Sequence, residues 1–167
     1  LDDLIDFTPE LKAEAVKLAS LYKIGPIFTP PVVSTWEGPR ATLILPAATG
    51  GANWQGGSFD PETKILYVYS VTAVTALGLV TDGKKSDMNY IQGQAPDPKA
   101  PPLAAPGQAA VAAPAAAPAG EGGGTLAVRG LPLVKPPYAR ITAIDLNKGD
   151  IVWQVAHGET SDAVRNH

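Results

Sequence analysis

The sequence predicts a mainly β fold that carries one N-terminal helix and one Pro/Ala-rich insertion. Three observations support this prediction: an amphipathic segment near the start, two pairs of short apolar strands with tight turns, and an abrupt change of composition between the two pairs. The chain has 167 residues and a net charge of −3, which suits one ordinary globular domain. It contains no basic run, so no nucleic-acid surface is indicated.

The amino-acid composition also excludes some kinds of covalent link, metal site and membrane segment. The chain has no cysteine, which excludes disulfides and thiolate metal sites. No stretch of about 18 or more apolar residues is free of Pro, Gly or charge, so no membrane span is predicted. The chain opens at Leu1 without an initiator Met and stops at His167 after a polar stretch. We therefore expect a piece of a longer polypeptide, although a processed mature protein would also lack the Met.

The first segment is predicted to be a helix that docks on a larger body. Thr8 is a good N-cap and Pro9 suits the first helical position. Gly25 and Pro26 are predicted to end the helix. At helical spacing one apolar face contains Leu11, Ala15, Leu18, Ala19 and Tyr22.

Strand patterns follow the helix. Residues 41–46 predict a short apolar strand, and Gly50-Gly51 predicts a tight turn after it. Residues 53–59 and 65–70 predict the two strands of a hairpin. The β-branched run at 71–80 is predicted to continue that hairpin.

A second hairpin is predicted at 139–145 and 150–155, and its turn resembles the first. In each, an Asp ends the first strand, and Lys64 or Gly149 stands four residues after that Asp. The carboxylate can accept hydrogen bonds from turn amides, and the later position favours a left-handed conformation that suits Gly better than Lys. Either repeated stacked sheets, as in propeller blades of about 40–50 residues, or two unrelated hairpins explain the pattern.

Residues 94–124 are rich in Ala, Pro and Gly and contain no large aromatic residue. Such a composition cannot bury enough surface to offset its ordering entropy, so we predict a disordered surface insertion or linker. A docking site for a proline-recognising domain is the less favoured alternative, since such segments are usually spacers.

The second hairpin carries the pattern Ala143-x-Asp145-x-x-x-Gly149-x-x-x-Trp153. It resembles the tryptophan-docking motif of pyrroloquinoline-quinone (PQQ) dependent dehydrogenases. The resemblance implies part of an eight-bladed β-propeller with antiparallel four-stranded blades, in which the Trp packs between neighbouring blades. The first hairpin has Tyr67 and no Trp, and so departs from the motif.

Three further stretches are similar to the glucose-dehydrogenase branch of that family, at residues 50–61, 135–146 and 162–167. Residues 7–11 and 25–31 fit the same branch. The resemblance thus covers nearly the whole chain except the Ala/Pro insertion, and it places the chain in the C-terminal part of the propeller.

This resemblance also implies a domain organisation. A helix and one or more propeller blades would occupy residues 1–93, and the insertion would occupy 94–124. A further blade with the tryptophan-docking motif would occupy 125–167.

The resemblance implies that Asn53, in the stretch Gly50-Gly51-Ala52-Asn53-Trp54, hydrogen-bonds the central PQQ. A carboxamide can donate to a quinone oxygen and stays neutral in either redox state of the cofactor. The alternative from the residues alone is that Asn53 caps the turn after the glycines. Trp54 is expected to shape the pocket floor, with a place in the blade core as an equal alternative.

The family's reaction oxidises an alcohol or a sugar, glucose being one candidate, by hydride transfer to PQQ. A carboxylate base and the ligands of a Ca²⁺ ion are expected in earlier blades, outside this chain, so no catalytic or metal residue is assigned here. The expected partners are the remainder of the same polypeptide, the substrate and a quinone or cytochrome electron acceptor. The expected location is the periplasm, with any membrane anchor outside this chain. A non-catalytic propeller that binds other proteins is the alternative function.

Overall fold

The computed structural model describes residues 2–48, 50–52, 56–99, 126–158 and 162–166. Helix α1 spans Pro9–Ala19 and the short helix α2 spans Asp162–Arg165. In chain order the strands of the described ranges are β1 (Val32–Val33), β2 (Thr42–Ile44), β3 (Gly57–Asp60), β4 (Ile65–Val71), β5 (Thr75–Val80), β6 (Ile91–Gln92), β7 (Ala127–Val128), β8 (Leu131–Pro132), β9 (Ala139–Asp145) and β10 (Asp150–Ala156).

The main sheet has four antiparallel strands in the order β10-β9-β4-β3. Both predicted hairpins are confirmed, β3 with β4 and β9 with β10. The alternative in which the hairpins form separate stacked sheets does not hold, because β4 pairs with β9 along its whole length, from Ile65↔Asp145 to Val71↔Ala139. Each hairpin alone would leave one of these seven-residue strands with an unpaired edge, and their pairing satisfies both sets of backbone groups.

A second sheet is built around β5, which pairs with β1 in parallel and with β2 and β6 in antiparallel fashion. Residues 71–80 were predicted to continue the first hairpin, and this prediction is wrong beyond Val71. Both edges of β4 are already occupied by β3 and β9, so the chain must leave the main sheet. It does so at Thr72, whose N–H donates to the carbonyl of Tyr138 at 2.7 Å, and at Ala73, whose N–H donates to Pro46 at 3.0 Å.

Helix α1 begins as predicted and ends earlier than predicted. The Thr8 hydroxyl accepts a hydrogen bond from the N–H of Leu11 at 3.3 Å, and Pro9 is the first helical residue. The helix ends at Ala19 and does not reach Gly25. The reason is competition from β2: the N–H of Lys23 donates to the carbonyl of Ala41 at 2.8 Å, which draws the chain out of the helix.

The largest buried cluster lies between α1 and the chain segment that follows the insertion. Ile5 donates its N–H to the carbonyl of Leu133 at 2.9 Å, and Arg129 forms a two-point ion pair with Glu14 of the helix. The cluster contains Leu4, Ile5, Leu11, Ala15, Ala19, Val74, Val128, Leu131, Leu133 and Val134. The prediction that the helix docks its apolar face on a larger body is therefore confirmed.

The described part of the insertion, residues 94–99, contains neither helix nor strand. Residues 100–125, which hold most of the Ala/Pro sequence, lie outside the described residues. The expected disorder of the insertion and its boundaries at 94 and 124 therefore stay predictions.

Candidate functional site

The segment that leads into β3 carries the candidate cofactor residues. Asn53 and Trp54 lie outside the described residues, but their flanks are placed. The carbonyl of Gly51 accepts the N–H of Val71, the last residue of β4, at 2.9 Å. Because β9 begins opposite Val71, Gly51 lies at the end of the main sheet where β4 stops and β9 starts.

The glycines before Asn53 hold the chain close to β4. Gly50 has φ +89° and donates its N–H to the carbonyl of Ala47 at 3.1 Å, so a turn precedes Gly51. A Cβ on Gly51 would stand 2.7 Å from the carbonyl oxygen of Val71, closer than real Cβ atoms approach. A Cβ on Gly50 would meet nothing within 4 Å. The turn is thus packed at Gly51 and open at Gly50.

Polar groups gather at this same end of the sheet. Arg140, the second residue of β9, donates from Nη1 to the hydroxyl of Thr72 at 3.2 Å. The hydroxyl of Tyr138 is buried and has no hydrogen-bond partner among the described residues. Burial also raises the pKa of the Tyr138 phenol. This end of the sheet therefore presents donors that the described residues do not fully satisfy.

The opposite end of the sheet carries the two tight turns, and their predicted chemistry is confirmed. The carboxylate of Asp60 accepts from the N–H of Glu62 at 3.0 Å, and that of Asp145 accepts from the N–H of Asn147 at 2.8 Å. Lys64 has φ +61° and Gly149 has φ +79°, so both adopt the left-handed conformation. These turns are structural, since they lie a full strand away from the segment around Asn53.

The hydrogen bond from the Thr63 hydroxyl, with that from the Glu62 amide, lowers the pKa of Asp60. The ionised Asp60 carboxyl therefore persists to lower pH than an Asp without these hydrogen bonds.

The docking-motif residues meet across three strands. Ala143 of β9 stands between Tyr67 of β4 and Trp153 of β10 in the register, and it is fully buried. The rings of Tyr67 and Trp153 lie 5.8 Å apart, centroid to centroid, at an angle of 39°. Trp153 keeps 42% of its surface exposed because β10 is an edge strand. Its burial against a neighbouring blade stays a prediction for a complete propeller.

Within the described ranges no group of three or more His, Cys, Asp or Glu residues could hold a metal ion. His157 instead packs edge-on against the ring of Tyr69, with 5.3 Å between centroids. His167 lies outside the described residues. The helices of the described ranges are too short or too polar to cross a membrane.

Comparison with known proteins identifies the family. All residues from 1 to 167 match the family model of the PQQ-type glucose/ethanol/alcohol dehydrogenase β-propeller domain. The chain therefore belongs to this family, and the four-stranded antiparallel main sheet is of the kind that forms a propeller blade. No solved structure matches the chain significantly.

Two curated relatives agree with this assignment. A probable quinate dehydrogenase (quinone) from Xanthomonas campestris pv. juglandis is 29% identical over 134 residues, which is 77% of this chain and 15% of that protein. A lupanine 17-hydroxylase [cytochrome c] from a Pseudomonas species is 32% identical over 63 residues, which is 37% of this chain and 9% of that protein. The chain thus spans a small part of the length of these relatives.

The described residues beside the segment around Asn53 fit a polar, anionic cofactor such as PQQ. The space beside Gly50 is open, and the nearby cation of Arg140 has no carboxylate partner among the described residues. The contact between Arg140 and Thr72 was not predicted from the sequence. The charged residue in the otherwise neutral strand pattern Ala139-Arg140-Ile141-Thr142 could have drawn attention to it.

Proposed function

We propose that this chain supplies part of the cofactor site of a PQQ-dependent dehydrogenase that oxidises an alcohol or a sugar. PQQ accepts the hydride in this chemistry when it is bound. The single observation that supports the proposal is the position of Gly51, two residues before Asn53 in the sequence. The carbonyl of Gly51 accepts the N–H of Val71 at the end of the main sheet where β4 stops.

In this proposal Asn53 donates a hydrogen bond to a quinone oxygen, and Trp54 forms part of the pocket floor. The glycines Gly50 and Gly51 let the backbone carry Asn53 close to the cofactor. A neutral carboxamide suits a site whose ligand changes its electron count, because Asn53 itself need not gain or lose a proton.

The substrate class is an alcohol or sugar, with glucose as one candidate from the sequence resemblance. The name of the Xanthomonas relative adds quinate, a cyclic polyol with a carboxylate, as a second candidate. The names of the two relatives support a quinone or a cytochrome c as the electron acceptor. The remainder of the propeller would supply the catalytic base and the ligands of a Ca²⁺ ion, in the periplasm.

The proposal is tested on the complete protein, purified without cofactor and then reconstituted with PQQ and Ca²⁺. Dye reduction should appear with glucose or quinate and should depend on PQQ. The 167-residue chain alone should show no turnover under the same conditions, because in this proposal the remainder of the propeller supplies the base. A complete protein that neither binds PQQ nor oxidises any polyol, yet captures other proteins, would instead support the scaffold function.

A further inference from the structure

An apolar groove lies beside β2, away from the main sheet. It has a volume of about 640 Å³ and is lined by Leu45, Val74 and Leu133 together with the loop of residues 24–29. None of the described residues that line it belongs to β3, β4, β9 or β10. The groove is therefore separate from the sheet that carries Trp153 and from any packing between blades through that residue.

Large apolar side chains of the groove are left in solvent by the described residues. Ile27 keeps 82% of its surface exposed and Phe28 keeps 92%, and Ile24 and Leu45 are exposed as well. All four line the same groove, so they form one patch. A contiguous apolar patch marks an interaction surface, whereas scattered single apolar residues on a surface are ordinary.

The backbone that presents Phe28 is strained. Its φ is +67°, a left-handed conformation that is rare for a bulky aromatic residue. The N–H and the hydroxyl of Thr29 both donate to the carbonyl of Pro26, at 3.1 and 2.6 Å, so Ile27 and Phe28 lie at the tip of a closed turn. Strained residues persist where surrounding structure compensates for the strain. At 92% exposure, Phe28 receives little of that compensation from the described residues.

The polar groups of the groove do not suit a polar small molecule. Asp3 is the only charged residue among the described residues that line it, and Thr29 supplies the only hydroxyl. That hydroxyl already donates to Pro26. Small-molecule sites combine an apolar lining with several convergent polar groups. The groove instead suits apolar protein side chains, like the buried centre of a protein–protein interface.

We propose that the groove and the loop of residues 24–29 are covered by an apolar segment from the remainder of the same polypeptide. The occupant is indicated by length, because this chain spans only a small part of the length of its curated relatives. By that comparison most of a complete protein lies outside these residues, tethered to them at high effective concentration. The contact is independent of PQQ, so a failure of the proposed function leaves it intact.

The first test compares two glycine substitutions in the complete protein. Phe28→Gly and Lys64→Gly each remove a side chain from an exposed left-handed residue, at φ +67° and +61°. If Phe28 is uncovered, both variants relieve backbone strain, and neither lowers the unfolding midpoint. If the segment covers Phe28, Phe28→Gly lowers the midpoint by roughly 2–4 °C, whereas the Lys64→Gly control does not lower it.

Ile27→Ser should lower the midpoint in the same way, since it removes apolar area from the same contact without a change of backbone strain. An unchanged or higher midpoint for both Phe28→Gly and Ile27→Ser overturns the inference.

The second test identifies the occupant and remains decisive if Phe28→Gly does not fold. A benzophenone-bearing phenylalanine replaces Ile27 in the complete protein, and the cross-links formed on irradiation are mapped by mass spectrometry. The expected product joins position 27 to a peptide of the same molecule outside residues 1–167. A product with residues 100–125, with a second molecule of the protein or with a bound lipid overturns the inference. The absence of any cross-linked peptide overturns it as well.

Discussion

The aromatic rings of Tyr67 and Trp153 lie 5.8 Å apart across the main sheet, with Ala143 between them in the strand register. Tilted ring pairs at this separation contribute about 0.5–1.5 kcal/mol beyond the area that they bury. A larger residue at position 143 would lie between the rings, so Ala143 and Trp153 act as a unit within one sheet. The small residue of the motif thus makes room for the Trp of its own hairpin.

Trp153→Ala should destabilise the complete protein by about 3–5 kcal/mol, the usual range for removing a core aromatic residue. The reason is the combined loss of the Tyr67 contact and of packing against a neighbouring blade. Denaturant unfolding of both proteins measures the difference. A Trp153 that an aqueous quencher reaches freely in the complete protein would contradict burial between blades.

The two turns of the main sheet offer a matched pair of substitutions. Lys64 has a positive φ of 61°, which is strained for any residue with a Cβ, whereas Gly149 has the same kind of conformation without strain. Lys64→Gly should therefore stabilise the protein by up to about 1 kcal/mol, and Gly149→Ala should destabilise it by about 1 kcal/mol. Thermal unfolding checks both, and shifts of the same sign would contradict the explanation.

The contribution of the Thr8 N-cap to the stability of α1 can be tested by substitutions that remove or keep its hydroxyl. Thr8→Ala removes the hydroxyl that accepts from Leu11 and should cost about 0.5–2 kcal/mol of stability. Thr8→Ser keeps the hydroxyl and is the control, with an expected change of only a few tenths of a kcal/mol. If Ser and Ala variants unfold at the same denaturant concentration, the cap contributes nothing measurable.

Local features of this fold were predictable from the sequence because they depend on neighbouring residues. The Thr8 cap, both hairpins and the left-handed positions at Lys64 and Gly149 all follow from residues within a few positions of each other. The early end of α1 was not predictable, since it is decided by the hydrogen bond from Lys23 to Ala41. The local stop signal at Gly25 lies beyond that bond.

Pairing between distant segments was the part that sequence reasoning did not reach. β4 and β9 are neighbours in the sheet but are separated by a long chain segment, so their pairing cannot be recognised from local sequence. Their apolar patterns fit equally well in one sheet or in two, so only the full fold decides between these. The same pairing brings Thr72 beside Arg140, a contact that the sequence did not predict.

Replacing Asn53 with an ionisable residue should make turnover depend on pH. Asn53→Asp would place a carboxylate beside the quinone, where it repels the electron-rich reduced cofactor when ionised. Turnover of this variant in the complete protein should therefore be lower than that of Asn53→Ala near neutral pH. It should recover as the pH falls towards the ordinary range of an Asp carboxyl, about pH 4. A pH profile parallel to that of wild type would argue against this proximity.

The most direct measurement is a PQQ titration of the complete protein and of its Asn53→Ala variant. Removing one hydrogen bond to a buried polar cofactor should cost roughly 1–3 kcal/mol, so the Kd should rise by about one to two orders of magnitude. The unfolding midpoint of the cofactor-free protein should not change, because the fold does not depend on that bond. An unchanged Kd would contradict the account and would return Asn53 to the role of a turn cap after Gly50 and Gly51.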